Sequence, residues 1–265
     1  VSRTNRMEPF ATNIKGPVAI IGDLHGQLDK LNNILDQLRA LSDYDRRWIV
    51  FLGDFVDRGP DSKGVIETIL QLREEHPRTT AICGNHDLGM ATSLRIVPQS
   101  EYSDWEERWT SYYDADATFE SYGANFPDLD DLYRVMPEEH KQFLAMLPWA
   151  VEHPRLFFVH AGLDPHTPFE VQRQILAERD FTLNHPQWLC SKTYVEDPPP
   201  PDCPLTVVSG HVQVRDVVIT NNRILADTTG GTGGDLSCVL MPEKKVLKSR
   251  AGSQTGAEQP WWKLW

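Results

Sequence analysis

The stretch FLGDFVDRGP, residues 51–60, ends an apolar run with two carboxylates three residues apart, then an arginine, then Gly-Pro. The run Trp48-Ile49-Val50-Phe51-Leu52 is rich in β-branched and aromatic residues and too short for a helix, so it reads as a buried strand. Asp54 and Asp57 then fall just past its carboxyl end. In open α/β sheets that edge is where ligands bind, although an acidic residue after a strand is more often a turn former or helix cap.

Working outward, the same arrangement repeats. A strand at 18–22 precedes a helix with Leu28, Leu31, Leu35 and Leu38 on one face. The strand at 48–53 leads into a helix opened by Pro60-Asp61-Ser62 and carrying Val65, Ile66, Ile69 and Leu70, and a third strand covers 79–83. This is a βαβαβ unit. Past residue 150 apolar runs lie closer together, at 156–159, 206–209, 217–220, 223–226 and 237–241, which predicts a second, more antiparallel sheet. Between the halves, EYSDWEERWTSYYDADATFESYGANF has no clean period and is crowded with Trp and Tyr; EDPPPPDCP reads as a stiff extended loop.

Each strand delivers a ligand type to the same position. The first ends in GDLHG (22–26), the second in GDFVDRG (53–59), the third in GNHD (84–87), and later strands in VHAG (159–162) and SGH (209–211). Taken singly, GDLHG is a strand-turn-helix with a capping Asp, and the late histidines are structural. Packing, however, does not demand Asp, His or Asn at five strand ends in order. Mixed oxygen and imidazole ligands suit Mn, Fe or Zn. Two ions about 3.5–4 Å apart need a shared ligand, which a carboxylate supplies and an imidazole does not.

The composition agrees with an ordinary globular chain. The 265 residues are 40% hydrophobic and 24% charged, enough for one substantial core or two small ones. No apolar run approaches the roughly 20 residues of a membrane span, and the first 17 residues lack the apolar stretch of a secretory signal. Starting at Val1 rather than Met, the chain is expected to be a processed or trimmed form. Cys83, Cys190, Cys203 and Cys238 have no CxxC spacing, so neither a zinc knuckle nor a disulfide framework is indicated, and a reducing cytoplasm, with the nucleus left open, is the expected compartment. The formal charge of -12 argues against broad nucleic-acid binding. No membrane partner is expected, and the sequence is silent on oligomeric state.

The motifs GDLHG, GDFVDRG and GNHD resemble the signature GDxHG, GDxxDRG, GNH[ED] of the phosphoprotein phosphatases within the calcineurin-like metallophosphoesterases. EEHKQFLAMLPW, VHAGLDP and LADTTGGTGGDLS are most similar to the bacterial-like and Rhizobiales-like branch, which prefers phosphotyrosine. The resemblance implies an α/β (α+β) fold of two mixed β-sheets packed as a sandwich flanked by helices. It implies a catalytic domain at 16–248, between an N-terminal tail (1–15) and a flexible C-terminal tail (249–265), with an aromatic-rich insertion at about 99–126. It makes Asp23, His25 and Asp54 ligands of one divalent metal, and Asp54 the bridge to a second held by Asn85, His160 and His211. A metal-bridging hydroxide would attack phosphorus directly, without a covalent phosphoenzyme. His86, oriented and kept cationic by Asp57, would protonate the leaving oxygen, and Arg58 would bind phosphoryl oxygens, with Asn85 also at the substrate. The plainer reading of Arg58 is an ion pair with Asp57 or Asp61.

The substrate so implied is a phosphorylated protein or peptide. Two departures bear on this. The second phosphate-binding arginine of the serine/threonine enzymes is absent from LCSKTYVEDPPPP, where Lys192 is the candidate replacement against a plain surface lysine. The SAPNYC loop is replaced by LADTTGGTGG, whose glycines either cradle a phosphate through backbone N–H groups or form a flexible turn. Toxins that need the usual loop should bind poorly. The aromatic insertion either walls a groove for a phenol ring or packs a core of its own. The alternative function is hydrolysis of dinucleoside polyphosphates or capped RNA ends, because VHAGLDP and RGPDS are also similar to diadenosine tetraphosphatases; basic and stacking residues near the site would discriminate it. A catalytically silent scaffold is disfavoured by the full ligand set. His76, His140, His153, His166 and His185 receive no function.

Overall fold

The computed structural model describes residues 7–249. In chain order its strands are β1 (Val18–Ile21), β2 (Trp48–Phe51), β3 (Thr79–Ala81), β4 (Ala150–His153), β5 (Leu156–Val159), β6 (Thr206–Ser209), β7 (Val218–Ile219), β8 (Arg223–Leu225), β9 (Ser237–Met241) and β10 (Lys245–Lys248). The helices are α1 (Leu28–Arg39), α2 (Ser62–Glu75), α3 (Asn85–Ser93), α4 (Trp105–Tyr112), α5 (Asp116–Tyr122), α6 (Leu129–Val135), α7 (Glu138–Met146), α8 (Phe169–Glu178), α9 (Gln187–Cys190) and α10 (Lys192–Glu196).

Two five-stranded mixed sheets result, in the orders β10-β9-β1-β2-β3 and β4-β5-β6-β8-β7. Alternation along the strands explains why they stack. In β1, Val18 and Ile20 join Val50 of β2, Phe158 of β5, Val208 of β6 and Ile224 of β8 in a core between the sheets. Ala19 and Ile21 point the other way, into a larger core with Leu31, Ile34, Leu35 and Leu38 of α1. Each fully buried leucine of that stripe contributes about 1.5–3 kcal/mol. Both faces of β1 are covered, which is why it reads as an unbroken apolar run. The α/β sandwich flanked by helices is therefore present as expected.

Two sequence expectations are corrected. The run at 237–241 does not belong to the second sheet: β9 pairs antiparallel with β1 in the first. Proximity in sequence misled, because the glycine-rich segment between β8 and β9 carries the chain from one sheet to the other. The centre of the second sheet, β5-β6-β8, is parallel, and only its edges β4 and β7 pair antiparallel.

The insertion forms α4 and α5, and it packs into the main core rather than making its own: Trp105, Trp109, Tyr113 and Phe119 are buried there, while Tyr102 and Tyr112 are exposed. In residues 7–15 Phe10 and Ile14 are buried, with Phe10 edge-on to Phe143 at 5.6 Å, while most of the others are exposed. The WWKLW tail lies outside the described residues. No helix among the described residues is long and apolar enough to cross a membrane.

Candidate active site

The carboxyl ends of β1, β2, β3, β5 and β6 converge. Asp54 is at the centre: its Oδ2 lies 3.5 Å from His25 Nε2 and 3.3 Å from His160 Nε2, and its Oδ1 accepts the His86 N–H at 3.0 Å. Among the described residues, ligand atoms gather in two groups that share this residue, His25-Asp54-His86 and Asp54-His160-His211. Asn85 Oδ1 contacts both late histidines, at 3.1 Å to His160 Nε2 and 2.8 Å to His211 Nδ1. Asp23 lies outside both groups; its Oδ2 accepts the His211 N–H at 2.7 Å, while its Oδ1 is buried without a partner.

Close approach is made possible by absent side chains. A Cβ on Gly84 would lie 2.0 Å from Asp54 Oδ1, and one on Gly210 1.9 Å from Asp23 Oδ1. Asp87, the last residue of GNHD, accepts N–H bonds from Asp54 (2.8 Å), Phe55 (2.8 Å) and Gly84 (2.9 Å), locking the β2 and β3 turns together. The imidazole tautomers are set from behind: His25 Nδ1 donates to Val56 O and His160 Nδ1 to Leu52 O, which leaves both Nε2 atoms facing the cluster.

The electrostatics are those of a buried anionic site. Burial, then the charge of Asp227, raises Asp23 well above the usual carboxylate range. Burial would raise Asp54 too, but His160 and His86 beside it hold it well below. Against its own burial, His160 is pushed up to about 10 by Asp54 and Asp23. An orphaned Asp23 oxygen beside carboxylate, amide and imidazole donors makes a pocket that fits divalent metal ions.

Beside this cluster, Asp57 is fully buried and accepts from His86 Nδ1 (2.8 Å), Trp109 Nε1 (2.9 Å) and Thr118 Oγ1 (2.7 Å). The expected orientation of His86 is present. Burial lowers its imidazole to about 4, against the charge of Asp54, which favours the cation. Tyr113 lies on the other face of His86, ring centroids 4.3 Å apart. Trp109, Thr118, Tyr113 and Asp87 were not legible as site residues, though the sequence did single out the insertion that carries the first three. Arg58 is exposed and forms no pair with Asp57 or Asp61: its Nη1 bonds His25 Nε2 at 3.0 Å and Gly230 O at 2.9 Å.

Two phosphate-binding expectations gain no support from the contacts. Lys192 is exposed at the start of α10, with no partner among the described residues and no contact with the cluster. In the glycine-rich loop Thr229 and Gly230 donate to Asp227 Oδ1, Gly231 to Thr229 Oγ1, and Thr232 and Gly233 to Thr229 O, so that of the Gly230–Gly234 stretch Gly234 alone has no N–H partner among the described residues. Instead the loop presents a carbonyl to Arg58. His76 and His140 make internal bonds, to Tyr44 O and Tyr122 Oη.

Known proteins resemble this chain in sequence and in fold. A symmetrical bis(5'-nucleosyl)-tetraphosphatase of Vibrio cholerae is 26% identical over 247 residues, 92% of this chain and 77% of that protein. Among solved structures, one provisionally assigned as a diadenosine tetraphosphatase superposes with a TM-score of 0.58 at 22% identity, covering 91% of this chain and 97% of its own. A cold-active protein tyrosine phosphatase superposes at 0.59 and 15% identity, covering 91% and 78%. The pattern of the calcineurin-like phosphoesterases matches residues 16–233, and the chain belongs to that family.

Proposed function

We propose that the chain is a metal-dependent hydrolase of dinucleoside polyphosphates. The observation that carries this reading is the likeness to a symmetrical tetraphosphatase across 92% of the chain, both sheets included. In this reading Asp23, His25 and Asp54 hold one divalent ion, and Asp54, Asn85, His160 and His211 the other, drawn from Mn, Fe or Zn. Two such ions, when bound, supply a nucleophile from water at neutral pH and neutralise phosphoryl charge. The chain's own residues do the rest. Arg58 grips phosphoryl oxygens, Asp57 holds the His86 ring through Nδ1, and the imidazolium form of His86, which the charge of a bound phosphoryl group favours, gives its Nε2 proton to the leaving oxygen.

The test is a matched panel: diadenosine tetraphosphate beside phosphotyrosine, phosphoserine and phosphothreonine peptides, in added manganese and again after chelation. Chelator-sensitive hydrolysis favouring the dinucleotide supports the proposal; a preference for a phosphopeptide overturns it. The second reading, a protein phosphatase favouring phosphotyrosine, draws on one feature, the Tyr113 ring against His86, which could flank a bound phenol.

A further inference from the structure

We infer that Arg108 is the second phosphate-binding cation of this site, acting opposite Arg58 in the role that serine/threonine phosphatases give to an arginine between the late histidines. The inference rests on the phosphoester-hydrolase reading, not on which phosphoester is cleaved.

Arg108 comes from α4, in the aromatic insertion, and is half-buried. Its Nε donates to Tyr113 Oη at 3.3 Å, and its Cζ lies 5.8 Å from that ring's centroid. Tyr113 in turn packs on His86, and the Asn85 side chain lies against its hydroxyl. One tyrosine therefore separates the guanidinium from both His86 and Asn85. Arg58 approaches from the other side, where it touches His25 and the glycine-rich loop. The two arginines flank the cluster along different edges, the arrangement a tetrahedral phosphoryl group with several charged oxygens calls for.

The state of the fork points the same way. Neither terminal nitrogen of Arg108 has a hydrogen bond or an ion pair among the described residues, although Asp104 is on the preceding turn of chain. A guanidinium carries five donors, and holding one by Nε while leaving the outer pair free pre-orients the fork toward an anion. The rival candidates are weaker, since Lys192 has no counterpart to the Tyr113 contact that ties Arg108 to His86, and the N–H groups at 229–233 are engaged. Trp109, next in sequence, donates to Asp57, so α4 is anchored to the site at the adjacent residue and the position of Arg108 is fixed.

The experiment uses the full manganese-loaded chain and inorganic phosphate as the probe. Phosphate affinity is read by calorimetry and as competitive inhibition of p-nitrophenyl phosphate hydrolysis. Arg108→Ala should weaken phosphate by about tenfold to a hundredfold, as expected for loss of a charge-assisted bidentate contact, with a matching rise in KM. Arg108→Lys should recover part of the loss. Should the alanine variant lose manganese or melt early, Arg108→Gln carries the test, because it keeps most of the stem. Wild-type phosphate affinity in a folded, metal-replete Arg108→Ala or Arg108→Gln overturns the inference, as does a loss confined to Lys192→Ala. A chain that ignores diadenosine tetraphosphate while its phosphate affinity still depends on Arg108 would refute the proposed substrate and leave this role standing.

Discussion

Trp109→Phe is expected to weaken the fold and the chemistry together. Asp57 has no solvent exposure, and its Oδ2 is shared by His86 Nδ1 and Trp109 Nε1 while Oδ1 takes the Thr118 hydroxyl. Phenylalanine keeps much of the indole's apolar contact and removes the N–H. A hydrogen bond to a charged group contributes about 1.5–3 kcal/mol net. The smaller ring adds up to about 1 kcal/mol of lost packing. For a chain of this size each kcal/mol lowers the melting midpoint by about 2–4 °C, so a fall of roughly 5–15 °C is expected. Thr118→Val tests the other oxygen with little change of shape; because Thr118 Oγ1 also accepts the Asp57 N–H at 2.8 Å, its cost should fall in the same range. Both donors fix one carboxylate, so the double variant should depart from additivity by more than about 0.5 kcal/mol. With His86 less firmly aimed, kcat on a phosphomonoester should drop by at least about tenfold, with a smaller change in KM. Thermal unfolding of the metal-loaded protein and steady-state kinetics measure all of this. A wild-type midpoint and kcat in Trp109→Phe would refute the reasoning.

Three further outcomes are expected. His86→Ala should retain metal by elemental analysis and lose about a hundredfold or more in turnover on a phosphotyrosine peptide, whose leaving group has a pKa of about 10, but less on a dinucleotide, whose leaving phosphate ionises near about 6. Equal losses on both would show that His86 is not the proton donor. Asp54→Ala should lose both ions, so that manganese added after chelation raises the melting midpoint of the wild type and not of the variant. Gly210→Ala places a Cβ 1.9 Å from Asp23 Oδ1 and should lower manganese affinity, as titration of the chelated protein would reveal.

How much of this was legible follows the range of the interactions. Strands ending in GD, GN and SGH could be read because each couples a local apolar run to the residue directly after it, and β1, β2 and β6 duly deliver Asp23, Asp54 and His211 to one edge. The pairing of β9 with β1 could not be read, since Ile20 and Val239 meet across most of the chain and either sheet would bury a run as apolar as Cys238-Val239-Leu240. The cage on Asp57 was hidden for the same reason: Trp109 and Thr118 are 52 and 61 residues away. Aromatic crowding singled out the insertion, but Arg108, one residue before Trp109, carries no pattern that separates it from a surface arginine. Only the placement of Tyr113 between it and His86 does so.

One property of the site could not have been reached from residue types at all. His25, Asp54, Asp57, Arg58 and His211 hold φ of +41°, +49°, +70°, +65° and +68°, a region where a side chain costs of order 1–2 kcal/mol. Glycine would relieve each position and delete the functional atom with it. The strain persists because neighbours over-determine the backbone: Asp54 gives its N–H to Asp87, and its carbonyl accepts the N–H groups of both Leu24 and His25. The β1 and β2 turns are thereby one interlocked unit, and a ligand on either cannot relax without displacing the other. Local preference yields here to the placement of the carboxylate, guanidinium and imidazole groups that meet at this edge.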